Sequence, residues 1–342
     1  MRVAPLLLLV AAGNSELCNI PVFRYALERW RSAPYEVIVF HRGPLDGAAR
    51  AAVDELRKQP ANVEVNHVDL AADLKGRMKE IWEAQKAAAE PWMVAFYPGS
   101  DALAWAGPAG TEAVRALVDS PTRRSVTRRI LSGETAVWML LESGEREKDE
   151  AAAALLETQL RKLEKTLKIP DHGPDDPPLL SEVPVKIAFS TIRLARSDPS
   201  EQAFLQMLLP RDREIKGPIV FPVFGRGRAL GAFWDDALTA RTIEEAGAFL
   251  AGACACEVKE QNPGIDLLVS LDWDQALSVV PAEEPKPIPL PEIPRGTPPA
   301  PLEKPLAPSA SEKQPQRPLL LVALFGAALL VLVTGARAFR RT

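Results

Sequence analysis

The 342-residue chain has few of the residues that usually mark a reactive or metal-binding site. It contains three cysteines and three histidines, and they are too scattered along the chain to form a zinc site. Three cysteines are also too few for a small disulfide-built scaffold. The net charge of −4 is small for this length, so the charge balance does not favour nucleic acid as a partner. We therefore expect no metal, no cofactor and no nucleic-acid partner.

An uncharged stretch near the C-terminal end is the most informative feature. Residues 318–336 carry no charge and read PLLLVALFGAALLVLVTGA. As a helix they would cover roughly 28 Å, close to the thickness of bilayer hydrocarbon. The pattern predicts a transmembrane helix over 319–336, with the lipid bilayer as a partner and residues 337–342 as a short basic tail.

The first thirteen residues predict a secretory signal peptide, because Arg2 precedes an apolar run that ends in small residues. The alternative is a buried strand formed by the same run. With a signal peptide, the folded domains lie outside the cytoplasm, and the chain is a single-pass protein of the cell membrane. Without one, the chain is tail-anchored with cytoplasmic domains. The arginines at 337, 340 and 341 favour a cytoplasmic tail.

Proline is concentrated in the segment that precedes the predicted span. Twelve of the 37 residues from 281 to 317 are proline. Such a segment cannot form helices or sheet ladders and prefers an extended polyproline II conformation. The composition predicts a semi-rigid stalk, and the alternative is a ligand for a proline-binding module.

Strands and helices alternate over residues 34–132. The hydrophobic periodicity predicts strands at 37–40, 63–68, 92–97 and 103–106, and helices at 46–58, at 74–85 and after Pro108. This order predicts an α/β domain in which helices cover both faces of a mixed sheet.

The same order returns over residues 134–280. Strands are predicted at 136–141, 185–194, 219–224 and 229–234, with helices at 149–168, after Asp198 and after Thr242. A further strand at 265–273 completes the predicted domain.

Three local patterns resemble the thioredoxin fold. Residues 38–45, IVFHRGPL, resemble the family's first strand with its Cys-Gly-Pro-Cys turn, and residues 65–69 resemble its second strand with a terminal aspartate. Glu90-Pro91 resembles the cis-proline that opens the third strand, and Gly217-Pro218 repeats that pattern. The resemblance implies two tandem thioredoxin-like domains, with Pro91 and Pro218 as cis-prolines. The layout also resembles single-pass membrane proteins of planctomycete-type bacteria, a resemblance that implies no activity.

The redox motif of that family is degenerate in this sequence. Gly43 and Pro44 stand in the family's Gly-Pro positions, but Arg42 and Leu45 occupy the two cysteine positions. Thiol exchange needs one thiolate to attack and a second sulfur to resolve the mixed disulfide. The resemblance therefore implies a domain that binds a protein client without redox chemistry. We expect Arg42 to point to solvent, because a cation opposes the dipole at a helix N-terminus.

Cys254 and Cys256 form the one closely spaced thiol pair in the chain. They are interpreted as small residues that pack at a helix end; the alternative is a reversible disulfide or half of a soft-metal site. Cys18 precedes a predicted helix that runs to Trp30. It is interpreted as a packing residue or as the partner of Cys254 or Cys256, and a thiol activated by the helix N-terminus is the alternative.

Two arginine-rich motifs complete the list of candidate sites. Residues 225–228, Gly-Arg-Gly-Arg, lie between two apolar runs, which favours a hairpin turn over a phosphate-binding loop. Four arginines, at 123, 124, 128 and 129, are interpreted as a solvated helix face, with an anionic partner as the alternative.

The sequence thus predicts a membrane-anchored, redox-inactive interaction protein of unknown client. One alternative is a thiol-disulfide oxidoreductase that uses Cys254 and Cys256. The other is a structural protein of the cell envelope.

Overall fold

The computed structural model describes residues 18–85, 89–174, 176–254 and 258–278. The predicted signal peptide, stalk, transmembrane helix and basic tail lie outside the described residues. Within these residues, no helix combines the length and apolar character needed to cross a bilayer.

An N-terminal arm precedes two units that are built to one plan. The arm consists of β1 (Cys18–Pro21) and α1 (Val22–Arg29). The first unit, residues 35–118, contains β2 (Tyr35–His41), α2 (Gly47–Lys58), β3 (Val63–Asp69), α3 (Gly76–Ala84), β4 (Trp92–Phe96), β5 (Leu103–Pro108) and α4 (Thr111–Val118). Its four strands lie in the order β3-β2-β4-β5. β2 is parallel to β3 and antiparallel to β4, and β4 is antiparallel to β5.

The second unit, residues 136–254, follows after α5 (Pro121–Leu131). It contains β6 (Ala136–Leu141), α6 (Arg146–Thr166), β7 (Phe189–Leu194), α7 (Gln202–Leu208), β8 (Ile219–Phe224), β9 (Arg228–Ala229), β10 (Phe233–Trp234), α8 (Ala240–Ala251) and β11 (Ala253–Cys254). The order β7-β6-β8-β9, with β6 parallel to β7 and antiparallel to β8, repeats the order and directions of the first sheet. The prediction of an α/β protein with mixed sheets flanked by helices is confirmed.

Apolar periodicity explains how these elements form. α2 begins after Asp46, whose carboxylate accepts the Ala49 backbone N–H at 2.6 Å, and its buried face includes Ala49, Val53 and Leu56 as predicted. Adjacent residues of the central strand β2 alternate between the two faces of the sheet. Ile38 packs with the α3 side, whereas Val39 packs with the side that α2 and α4 cover.

The two units share one hydrophobic core. α7 lies between them, and its Phe204 and Leu205 belong to the same buried cluster as Leu117 of α4 and Met139 of β6. The Tyr97 hydroxyl donates a hydrogen bond to the Met207 carbonyl across the same junction. The units therefore pack face to face through α7.

The segment after the second unit lies against both units, and here one prediction is wrong. The strand predicted at 265–273 is limited to β12 (Ile265–Asp266), which pairs with β9, and α9 (Trp273–Leu277) begins inside the predicted range. The Asn62 side chain of the first unit takes the place of a neighbouring strand beyond β12. Its amide donates to the Leu267 carbonyl at 3.2 Å and accepts the Val269 N–H at 3.0 Å, partners that a longer ladder would need.

Candidate functional site

The carboxyl edge of the first sheet brings together the turn at residues 42–45, Asp69 and the Glu90–Pro91 segment. Asp69 lies at the end of β3, and its Oδ1 accepts the N–H groups of Gly43 at 3.1 Å and Ala71 at 2.8 Å. Gly43 has a φ of +64°, a left-handed conformation that suits glycine in this turn. The two backbone donors hold the pKa of Asp69 below its ordinary value of 3.8. Asp69 therefore fixes the turn at residues 42–45.

Arg42 joins this turn to the segment before β4. Its Nη1 donates to the Leu70 carbonyl at 3.2 Å, and its Nη2 pairs with Glu90 Oε1 at 3.1 Å. The side chain is 59% exposed, in agreement with the expectation that it points to solvent. The Glu90–Pro91 peptide bond is cis, as predicted. We call residues 42–45, Asp69, Glu90 and Pro91 the first edge site.

Two histidines lie beside the first edge site. The rings of His41 and His67 meet edge to face, with centroids 5.5 Å apart. His41 Nδ1 lies 2.7 Å from the Gly43 carbonyl oxygen and must carry the proton that it donates there. Partial burial, Arg57 and His41 together lower the pKa of His67 below its ordinary value of 6.5. Within the described residues, no group of three or more His, Cys, Asp or Glu side chains could hold a metal ion.

The corresponding edge of the second sheet uses a buried aspartate. Asp149 of α6 accepts the N–H groups of Ser143 at 2.7 Å and Gly144 at 3.0 Å, and the Ser143 hydroxyl at 2.8 Å. Only 4% of Asp149 is exposed. Like Asp69, it supplies a carboxylate to the backbone of the turn that follows the central strand. We call residues 142–145, Asp149 and Arg196 the second edge site.

An arginine again reaches the residue before the strand-opening proline. Arg196 donates from Nη1 to the Ile215 carbonyl at 2.6 Å and from Nη2 to the Gly217 carbonyl at 2.7 Å. The prediction that Pro218 follows a cis bond is wrong, because the Gly217–Pro218 bond is trans. Trans is the more stable form of most X-Pro bonds, and a Gly-Pro dipeptide before a strand does not select the other isomer.

Cys18 and Cys254 lie outside both edge sites. Cys254 is buried in β11, which pairs with β1, whereas residues 255–257 lie outside the described residues. The possible thiol pair of Cys254 and Cys256 stays a prediction. Cys18 belongs to β1, and α1 begins four residues later at Val22, so Cys18 does not occupy the N-terminus of that helix.

The arginine-rich helix is not a uniformly solvated face, contrary to the prediction for Arg123. Arg123 is 2% exposed and donates to the carbonyls of Ala116 and Leu117, at the end of α4, and of Leu268. Its guanidinium also lies 5.0 Å from the centre of the Phe204 ring. Burial lowers the pKa of Arg123 to about 10, so it stays charged at neutral pH.

Residues 225–228 form a hairpin turn between β8 and β9, as predicted. Gly225 and Gly227 have φ angles of +55° and +80°, which this turn requires. Arg226 caps α1 by donating to the carbonyls of Leu27 and Glu28, and it also pairs with Asp274 of α9 at 2.7 Å. The arginines of this motif are therefore structural.

Sequence reasoning missed a buried charged residue that connects the parts of the molecule. Asp266 is 4% exposed, pairs with Arg228 at 3.1 Å and with Lys259, and accepts the Ala33 N–H at 2.7 Å. The Tyr35 hydroxyl donates to the Asp266 carbonyl at 2.9 Å. No local sequence pattern predicts this role, because the partners come from three separate parts of the chain, residues 33–35, Arg228 and Lys259.

Comparison with known proteins gives no family. No protein-family model matches the chain, and no curated protein matches its sequence.

Both edge sites present carboxylates and arginines that already bind one another or the backbone. None of the residues of the two edge sites is a cysteine, so these residues cannot carry out thiol–disulfide exchange. The geometry is suited to holding two turns rigidly at the surface of their sheets.

Proposed function

We propose that the chain is a membrane-anchored interaction protein built from two redox-inactive thioredoxin-like units. Arg42 and Leu45 at the first edge site carry the proposal, because they stand where a thiol-exchanging relative would have cysteines. A proline opens the next strand beside this turn, and the Arg42–Glu90 ion pair at 3.1 Å links the two segments. The strand order β3-β2-β4-β5 and its directions support the thioredoxin-like assignment.

The second unit supports the same interpretation. Its sheet repeats the strand order of the first, and residues 142–145, Glu-Ser-Gly-Glu, occupy the turn after its central strand. Asp149 and Arg196 fix the backbone there without any sulfur. Two rigid, sulfur-free turns favour binding of a protein client over turnover of a substrate.

The membrane anchor rests on the sequence. Residues 319–336 form the apolar span, and residues 281–317 form a stalk that holds the two units away from the lipid. We place the units outside the cytoplasm, on the strength of the predicted signal peptide. Protease treatment of intact cells tests this placement, since cytoplasmic units would be protected until the membrane is permeabilised.

The absence of redox activity is tested on the purified full chain in detergent. We expect no reduction of insulin disulfides and no refolding of a scrambled disulfide protein, with an active thioredoxin as the positive control. Robust turnover would overturn the proposal. Serine substitution of Cys254 and Cys256 would then show whether those thiols are responsible.

Binding of a client is tested by crosslinking the chain in its intact membrane. We expect a crosslinked protein partner, lost when Arg42→Glu reverses the charge at the first edge site. As a matched control, Arg161→Glu reverses an exposed arginine on α6 and should leave the crosslink intact. If the crosslink is as strong in Arg42→Glu as in Arg161→Glu, the first edge site does not bind the partner.

A further inference from the structure

The N-terminal arm and the end of the second unit bring two cysteines opposite one another. β1 pairs with β11 in an antiparallel ladder, and Cys18 and Cys254 are direct Cα partners in it. Directly opposite residues in such a ladder have Cα atoms about 4.5–5.5 Å apart. A disulfide spans Cα atoms about 4.4–6.8 Å apart, so the pairing of Cys18 with Cys254 is compatible with a bridge. The register of the ladder shifts between Cys18 and Pro21.

We propose that Cys18 and Cys254 form a structural disulfide that fastens the N-terminal arm to the second unit. The remaining cysteine, Cys256, stays a thiol in this arrangement. A bridge between Cys254 and Cys256, two residues apart, would be strained, whereas Cys18 and Cys254 are paired across two strands. The proposal concerns the arm alone and does not depend on the proposed function of the edge sites.

The surroundings of Cys254 suit a stable bridge. Cys254 is 2% exposed and packs in the cluster that contains Ile20 of β1, Ala26 of α1 and Leu250 of α8. Exposed or strained bridges are the labile ones, and burial hinders attack by an external thiol. The Val22 N–H donates to the Gly252 carbonyl at 2.9 Å, which fixes the two strands beside the cysteines.

Bridge formation is a two-step exchange with a low-molecular-weight disulfide such as oxidised glutathione. One cysteine thiolate attacks the glutathione disulfide, forms a mixed disulfide and releases one glutathione thiolate. The second cysteine thiolate attacks the mixed disulfide, closes the protein bridge and releases the other glutathione. The two protons lost by the cysteines are taken up by the two glutathione thiolates. Two cysteines are oxidised and one glutathione disulfide is reduced.

The test uses the full chain in nanodiscs, equilibrated with oxidised glutathione and then alkylated. Peptide mapping should find Cys18 joined to Cys254 and a single alkylated thiol at Cys256. A bridge that includes Cys256, three alkylated thiols, or glutathione adducts on Cys18 and Cys254 would overturn the proposal. Cys256→Ser should leave the bridge unchanged, and Cys18→Ser should abolish it.

A second readout follows stability. Oxidation should raise the thermal midpoint by about 5–10 °C in the wild-type chain and in Cys256→Ser. It should leave the midpoint of Cys18→Ser unchanged. An equal effect of the oxidant on all three proteins would contradict a specific bridge. Insulin reduction by the same samples reports on the edge sites separately, so failure of the disulfide proposal leaves the proposed function standing.

Discussion

The helices α3 and α7 occupy the same place in the plan of their units and have opposite environments. α3 lies on the outer side of the first sheet, and none of its residues is buried. α7 lies between the units, and five of its seven residues, Ala203, Phe204, Leu205, Met207 and Leu208, are buried. The comparison teaches that a repeated element order fixes topology, whereas the neighbour against which a face packs decides the burial of each helix.

The largest difference is expected from truncating an apolar side chain in each of these helices. Phe204→Ala should lower the free energy of unfolding by about 4 kcal/mol, because it opens a cavity in the shared core. Ile81→Ala, in the half-buried outer helix, should cost about 1 kcal/mol. Urea denaturation of the purified chain gives both values. Equal losses would show that the two helices contribute alike and would break the comparison.

Removal of the buried carboxylate at the junction should have the next largest effect. Asp266→Ala leaves Arg228 without its ion-pair partner in a buried site and should cost about 3 kcal/mol. Asp101→Ala removes an exposed partner of Arg77 and should cost less than about 1 kcal/mol. The same denaturation series measures both variants. If Asp266→Ala lowers the free energy of unfolding no more than Asp101→Ala does, Asp266 does not stabilise the junction between the units.

Removal of the carboxylate at each edge site should give a smaller difference in stability between the two units. Asp149→Ala leaves the buried N–H groups of Ser143 and Gly144 without their acceptor and should cost about 2 kcal/mol. Asp69→Ala acts at an exposed carboxylate whose backbone donors can turn to water, so its loss should be smaller. Urea denaturation at pH 7 measures the loss in the free energy of unfolding for each variant and shows which loss is larger. A greater loss from Asp69→Ala would reverse our interpretation of the two edges.

The smallest expected effect is the titration of His67. Its pKa is lowered in the folded chain, so folding favours the neutral ring. The stability it contributes is complete above the unfolded pKa near 6.5 and is lost as the pH falls through the folded value. NMR of the ring should give a midpoint below 6.5 that rises when Arg57→Gln removes a neighbouring charge. A midpoint above 6.5 would contradict the prediction.

The sequence was sufficient for most elements of the fold because their periodicity is local. The apolar face of α2 follows from its spacing, and the strand β6 follows from a short run of six apolar residues, all of which are buried. The turn at residues 42–45 was predicted from the resemblance to the thioredoxin fold, and the hairpin at 225–228 from its position between two apolar runs. The strand at 265–273 failed because three consecutive buried residues there, Leu267, Leu268 and Val269, face a junction between units and not a ladder.

The buried charged residues at the junction of the units, outside both edge sites, were harder to predict for a physical reason. Arg123 and Asp266 are buried only because carbonyls and counter-charges from distant segments converge on them, as Leu268 does on Arg123. Charged residues are usually exposed, so the sequence predicts solvent contact for them, and only the tertiary structure shows that these two are buried. The position of Asp149 in the first turn of α6 was easier to predict, because acidic residues are favoured at the N-terminus of a helix.

The most direct test of the proposed thioredoxin-like fold places cysteines at residues 42 and 45. Arg42→Cys combined with Leu45→Cys, in a chain whose native cysteines are changed to serine, should form an intramolecular disulfide with oxidised glutathione and gain insulin-reducing activity. Serine at the same two positions serves as the control and should remain inactive. Two thiols that are alkylated independently and give no activity would contradict the proposal that residues 42 and 45 stand at the cysteine positions of a thioredoxin-like turn.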